Sequence, residues 1–270
     1  MKIGIIGVGN MGAAIAEGLK KSFPDIVIGI MDTNREKAEQ VAKTVSGKIF
    51  KSDNYKDFCS YSDIIILAVK PQYLDGLLEK LSKYTNNKNI ISIAAGKTIK
   101  YFEERSGSKN IIRFMPNIAA TVGEAIVAVS YGENTSEEFI KEAVLIAESM
   151  GKAIVLSETQ MSAFTGLSGS GIAYVLSFIH ALALGGTEQG IPYDQSLSIA
   201  IQTVKGASAI LTKNLQSGGE IENPINLLTK VTSAGGTTIA GIRALEEGGL
   251  TATVMDAVDM ASRRASDLEG

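Results

Sequence analysis

Polar and apolar positions follow two periods in the first half of this chain and one in the second. Unbroken apolar runs at residues 3–6, 26–31 and 64–69 are rich in β-branched side chains, the pattern of strands covered on both faces. Between them apolar residues recur at helical spacing: Ala38, Val41 and Ala42 behind a capping Asn34, then Leu74, Leu77, Leu78 and Leu81 behind the strand-stopping Pro71. Residues 48–50, 89–93, 110–114, 122–130 and 152–156 read as further strands, with a helix over 137–150. Alternating strands and helices predict a doubly wound parallel sheet, whose ligand lies beyond the carboxyl ends of the strands.

Strand signals stop at Glu158. The remainder is rich in Ala, Leu and Gly at helical spacing, so the expected organisation is an α/β domain over 1–157 and an all-helical domain over 158–270. Candidate helices cover 168–185, 192–215, 224–231, 237–247 and 252–268, with breaks at Gly218, Gly219, Gly235, Gly236, Gly248 and Gly249. Nothing between Glu158 and Glu188 carries a full charge, a length that could cross a bilayer. That stretch holds Gly166, Ser168, Gly169, Ser170, Gly171, Ser177 and His180, and no basic cluster flanks it. It reads as a buried helix, apolar on most sides, that needs cover from a subunit interface as well as from a domain core.

Composition narrows the function. A net charge of -3 with scattered Lys and Arg gives no footprint for nucleic acid. A single cysteine, Cys59, makes no internal disulfide, and Met1 leads straight into a strand without a basic-then-apolar leader, so a cytoplasmic location is expected. Cys59 and His180 are unique and carboxylates show no ligand-like cluster, so no metal site is expected. His180 lies among Phe178, Ile179, Leu182 and Leu184, the setting of a core histidine, and Cys59 reads as a small buried hydrophobe.

Candidate chemistry gathers at the strand ends. Gly7, Val8, Gly9, Asn10, Met11 and Gly12 follow the first strand and open a helix, the spacing in which one glycine turns, one admits a pyrophosphate and one lets helix pack on strand. Asp32 follows the second strand, where an acid meets a ribose, with Thr33 beside it. A Rossmann-type dinucleotide site follows. Asp32 favours NADH, because a carboxylate repels the 2′-phosphate of NADPH; Thr33, Asn34 and Arg35 cradle that phosphate only if Asp32 turns away. Ala68, Val69, Lys70 and Pro71, then Ala94, Ala95 and Gly96, end later strands in the same crevice. In the helical half, Ser233, Ala234, Gly235, Gly236, Thr237 and Thr238 lead into a helix and read either as a carboxylate site or as simple capping.

Six motifs together resemble pyrroline-5-carboxylate reductases: Gly-Val-Gly-Asn-Met-Gly at 7–12, Ala-Val-Lys-Pro at 68–71, Ala-Ala-Gly at 94–96, Arg-Phe-Met-Pro-Asn at 113–117, Gly-Leu-Ser-Gly-Ser-Gly at 166–171 and Ser-Ala-Gly-Gly-Thr-Thr at 233–238. The resemblance implies reduction of 1-pyrroline-5-carboxylate to L-proline by NADH or NADPH, the closing step of proline synthesis. It implies that Ser233, Gly235, Gly236, Thr237 and Thr238 hold the substrate, with the Thr238 hydroxyl near the ring nitrogen, and that Asn54, Ala68, Val69, Lys70, Pro71 and Ala95 contact the cofactor. It also implies a homodimer, or a higher assembly of dimers, built through the helical domain. The chain departs from the family pattern at Ile172 and Ala234, where proline is usual, and at Asn223-Pro224 and Leu228-Thr229, where His-Pro and then a basic and an acidic residue are usual. A 3-hydroxyacid dehydrogenase is disfavoured because Val175 occupies the place of its catalytic lysine; a non-catalytic regulatory relative and a reductase of another cyclic imine remain as alternatives.

Overall fold

The computed structural model describes residues 1–213, 215 and 219–269. Eight strands form one sheet: β1 (Lys2–Ile6), β2 (Val27–Met31), β3 (Lys48–Phe50), β4 (Ile64–Leu67), β5 (Asn89–Ser92), β6 (Ile111–Met115), β7 (Ala125–Tyr131) and β8 (Gly151–Val155), in the order β3-β2-β1-β4-β5-β6-β7-β8. The first six run parallel. The doubly wound parallel sheet expected from the alternation is present, with one strand reversed: β7 runs antiparallel to β6. Its connection holds only a tight turn over Ile118–Val122, closed by Gly123 in the left-handed region (φ 74°), and a parallel return needs a crossover of a dozen or more residues. Residues 122–124, expected in the strand, belong to this turn and its exit.

Helices cover both faces. On one side α1 (Asn10–Ser22), α2 (Arg35–Val45) and α6 (Glu137–Glu148) pack over Ile3, Ile5, Ile28, Ile30, Ile64 and Ile66. On the other, α3 (Tyr55–Tyr61), α4 (Leu74–Leu81) and α5 (Ile99–Arg105) pack over Ile6, Met31, Ile65 and Leu67. Alternate residues of one strand thus serve opposite cores, which is why these strands are apolar throughout. Asn34 caps α2 as expected, accepting the Lys37 N–H at 3.0 Å. Opposed Gly4 and Gly29 let α3 lie close: a Cβ on Gly29 would sit 2.9 Å from the Tyr61 ring.

The later helices are α7 (Met161–Phe164), α8 (Gly171–Glu188), α9 (Tyr193–Thr212), α10 (Pro224–Val231), α11 (Thr237–Glu247) and α12 (Leu250–Asp267). The helix expected to begin at 168 starts earlier and passes through a wide π turn at Thr165–Gly169. Asn214 in the expected helix over 192–215, and the expected break at Gly218, lie outside the described residues. Two compact units result, one holding Met1–Ile172 and the chain from Val258 onward, the other Ala173–Ala257. The division differs from the composition change at Glu158 because Glu158, Ser162 and Glu269 all bond within the sheet unit.

The apolar helix needs a correction. Only 6% of its most apolar window between Glu158 and Glu188 is buried, and in α8 the one buried residue is Ala183. Among the described residues of its own unit, no core covers it. His180, expected in a core, is exposed, its Nδ1 3.0 Å from the Tyr193 hydroxyl.

Candidate active site

The glycine turn is held open by its neighbours. Gly7 adopts φ +91°, donates to the Met31 carbonyl at 2.9 Å, and sits so near Ala68 that a Cβ would lie 2.7 Å from that carbonyl oxygen. A Cβ on Gly12 would strike the Gly7 carbonyl, so only glycine lets α1 start this close to β1. Gly9 caps α1 without a side chain and meets nothing within 4 Å, leaving the helix start open to an anion. Asp32 closes the turn from the side: one carboxylate oxygen accepts the Val8 N–H at 2.6 Å and the other the Asn34 N–H at 2.7 Å.

A groove of about 750 Å³ begins here. Gly7, Gly9, Asp32, Thr33, Ala68, Val69 and Lys70 line it, so residues from the ends of β1, β2 and β4 are brought together. Val8 and Asn10 line an adjoining hollow of about 200 Å³, Met11 packs into the core behind, and Pro71 opens the tight turn Pro71–Tyr73. Three lysines, Lys37, Lys70 and Lys80, outnumber the one acid in the groove, a balance suited to a diphosphate. Two expected contacts lie off its wall. Asn54 caps α3 instead, accepting the Asp57 N–H at 3.3 Å and donating to its carboxylate at 2.8 Å, while Ser52 and Tyr55 line the groove. Ala95 is exposed beyond the lining.

In the second unit Gly235, at φ +68°, turns the chain into α11, and Gly236 donates to the Ser233 carbonyl at 3.0 Å. The cap residue of α11 is Gly236, which has no side chain to offer the first-turn N–H groups. Among the described residues the hydroxyls of Ser233, Thr237 and Thr238 make no side-chain bond there, so the simple capping expected as an alternative is not what the loop does. Ser233, Thr237 and Thr238 are exposed and Gly236 is half-buried.

Cys59 is buried as expected, and burial pushes its thiol up to about 11, too high for a nucleophile at neutral pH. Sequence reasoning passed over Lys37, Tyr73 and the pairing of Arg113. An arginine inside the apolar strand Ile111–Met115 was the available signal, since a buried cation requires an anionic partner.

Sheet, glycine turn and lysine-lined groove together define a dinucleotide-dependent oxidoreductase. Residues 2–96 match the family described as NADP oxidoreductase coenzyme F420-dependent, and residues 158–268 the family described as pyrroline-5-carboxylate reductase dimerisation. The chain is 41% identical to the pyrroline-5-carboxylate reductase of Aquifex aeolicus over 269 residues, covering 99% of this chain and 97% of that one. Among solved structures it is similar to the Coxiella burnetii enzyme (28% identity, TM-score 0.89, 99% and 98% covered) and to the NADP-bound Plasmodium falciparum enzyme (28%, 0.84, 100% and 98%). The chain belongs to the pyrroline-5-carboxylate reductase family, and it is an NAD(P)H-dependent oxidoreductase.

Proposed function

We propose that this chain reduces 1-pyrroline-5-carboxylate to L-proline with two sets of residues, the strand-end groove for the nicotinamide cofactor and the 233–238 loop for the substrate. When bound in the groove, the reduced cofactor supplies a hydride for the imine carbon. The chain's part is to hold, orient and discharge. Gly7, Gly9 and Gly12 leave room for a pyrophosphate at the start of α1, and Ala68, Val69 and Lys70 continue the groove along the strand ends, with Pro71 and Ala95, outside the lining, reaching the cofactor from the loops beyond it. Asn54 acts through α3, which it caps above the groove wall.

The observation that carries the reading is the uncapped start of α11. Its N–H groups and positive dipole end suit the substrate carboxylate, and the adjacent Ser233, Gly235, Gly236 and Thr237 surround it with donors. Thr238 offers its hydroxyl to the ring nitrogen, whose demand for a proton rises as the carbon accepts hydride. Ala234 removes a rigid proline from the loop but none of its donor N–H groups.

The cofactor of this reading is NADH. Asp32 cannot retreat from a 2′-phosphate without leaving the Val8 and Asn34 amides unpaired, which keeps its charge at the ribose position. A second copy of the chain covers the bare apolar surface of α8, where Leu176 is 60% and Leu184 50% exposed. A cytoplasmic location agrees with the lone thiol.

The deciding experiment follows oxidation of NADH and of NADPH by the purified protein with 1-pyrroline-5-carboxylate, and in parallel its mass in solution. Fast turnover by a dimer or larger assembly, with higher kcat/KM for NADH, supports every part. Cofactor binding without turnover would point to the regulatory alternative, and turnover only with another cyclic imine to a different substrate.

A further inference from the structure

A row of register-paired residues that starts at the carboxyl ends of β2, β1, β4 and β5 and runs on through the middle of β6 to β7 changes character across the sheet. Register aligns Met31, Ile6, Leu67, Ser92, Arg113 and Ser130, all buried, the first three apolar and the last three polar. A guanidinium placed there requires anions, because an unpaired buried charge is far costlier than a buried pair. Arg113 has two. Its Nη1 donates to Glu158 Oε1 at 2.6 Å and its Nη2 to Glu269 Oε1 at 2.7 Å.

The Glu158 carboxylate bonds the loop after β5, and the chain beside Glu269 packs against it. Residues 94–98 lead from β5 to α5, and Glu158 Oε1 also accepts the Ile99 N–H at 2.7 Å, fixing the far end. Nearer β5, Gly96 at φ +69° approaches Leu268 so closely that a Cβ would lie 2.6 Å from its carbonyl oxygen. Leu268 is the neighbour of Glu269, whose second oxygen accepts the Ser162 hydroxyl at 3.3 Å. One guanidinium therefore secures two clamps on one loop.

The loop contains Ala95, placed with the cofactor by the reading above, on which this inference rests. Along the order β2-β1-β4-β5 come the ribose acid, the glycine turn, residues 68–71 and then this loop. A dinucleotide laid along those ends puts its adenosine half over β2 and its nicotinamide half toward β5. We propose that Arg113 is a positioning residue for hydride transfer: through Glu158 and Glu269 it fixes the 94–99 loop that holds the nicotinamide end of the site. The adenosine end does not depend on it.

The test compares Glu269→Gln and Arg113→Lys with the unsubstituted chain by steady-state kinetics and by amide hydrogen exchange. The expected result is a fall in kcat of about 10- to 100-fold with the KM of the preferred cofactor within about twofold. Amides of residues 94–99 exchange faster while those of residues 7–12 keep their rate, and Glu269→Asp, which retains the charge, recovers part of kcat. Unchanged kcat and exchange in Glu269→Gln overturn the proposal, as does equal loss of protection in both segments. Should Arg113→Lys not fold, Glu269→Gln keeps the Arg113–Glu158 pair and carries the test alone. If the unsubstituted chain turned over no pyrroline, the exchange comparison would still judge the clamps, so failure of the functional reading is told apart from failure of this one.

Discussion

The carboxylate of Asp32 accepts the Val8 amide N–H at 2.6 Å, which makes the acid after β2 and the turn after β1 a single unit. Its other oxygen takes the Asn34 N–H, so the residue that caps α2 is drawn into the same arrangement. The carboxylate thus shapes the turn as well as lining the groove.

Asp32→Ser should consequently lower kcat/KM for NADH by about 10- to 100-fold, the worth of charge-assisted bonds of roughly 1.5–3 kcal/mol. The same change should raise the NADPH-to-NADH ratio of kcat/KM by removing the repulsion. A ratio that stays put in parallel kinetics with both cofactors would remove Asp32 from the discrimination.

Thr238→Ala deletes one hydroxyl at the open start of α11 and leaves the loop backbone in place. A drop in kcat/KM for the imine of about 10²-fold is expected, with cofactor affinity nearly intact, as for loss of a donor that acts mainly in the transition state. Steady-state kinetics beside a fluorescence titration of the reduced cofactor separates the two quantities.

Gly12→Ala places a methyl against the Gly7 carbonyl. Because the obstruction is backbone, α1 must shift, at a cost of about 1–3 kcal/mol in stability. Thermal melts should show this together with weakened cofactor binding. Normal binding in a stable variant would mean that the turn is more pliable than its packing implies.

Burial raises the Cys59 thiol from its ordinary value of 9.0 to about 11. The folded chain therefore keeps a proton that the unfolded chain gives up, so this contribution to stability is complete below pH 9 and declines as pH rises toward 11. The melting temperature of the unsubstituted chain should fall more steeply over that window than that of Cys59→Ala. Thiol reagents at pH 8 should leave Cys59 unmodified until the protein unfolds.

Most of the sheet was legible because a strand buried on both faces leaves a plain apolar run, as at Ile64–Leu67. Strand direction was not: the pattern at Ala125–Tyr131 is the same whichever way the strand runs, and the short turn before it decides. The placement of α8 was half legible, since one apolar surface serves a core or a second copy equally well. The places of the glycines and Asp32 around the turn were readable because backbone sterics and charge at fixed spacing dictate them. Asn54 was not, because a cap and a ligand contact use the same side-chain oxygen. The role of Arg113 depends on Glu269, 156 positions away, which no local pattern announces.

That separation also orders events during synthesis. β6 and β7 pair across one tight turn, and the parallel strands before them need only their own crossovers, so the sheet can assemble while the helical half is still being made. Arg113 is then a cation committed to the interior with half its counter-charge not yet translated. The rear of the crevice is completed only when Glu269 has been made and has seated against that guanidinium.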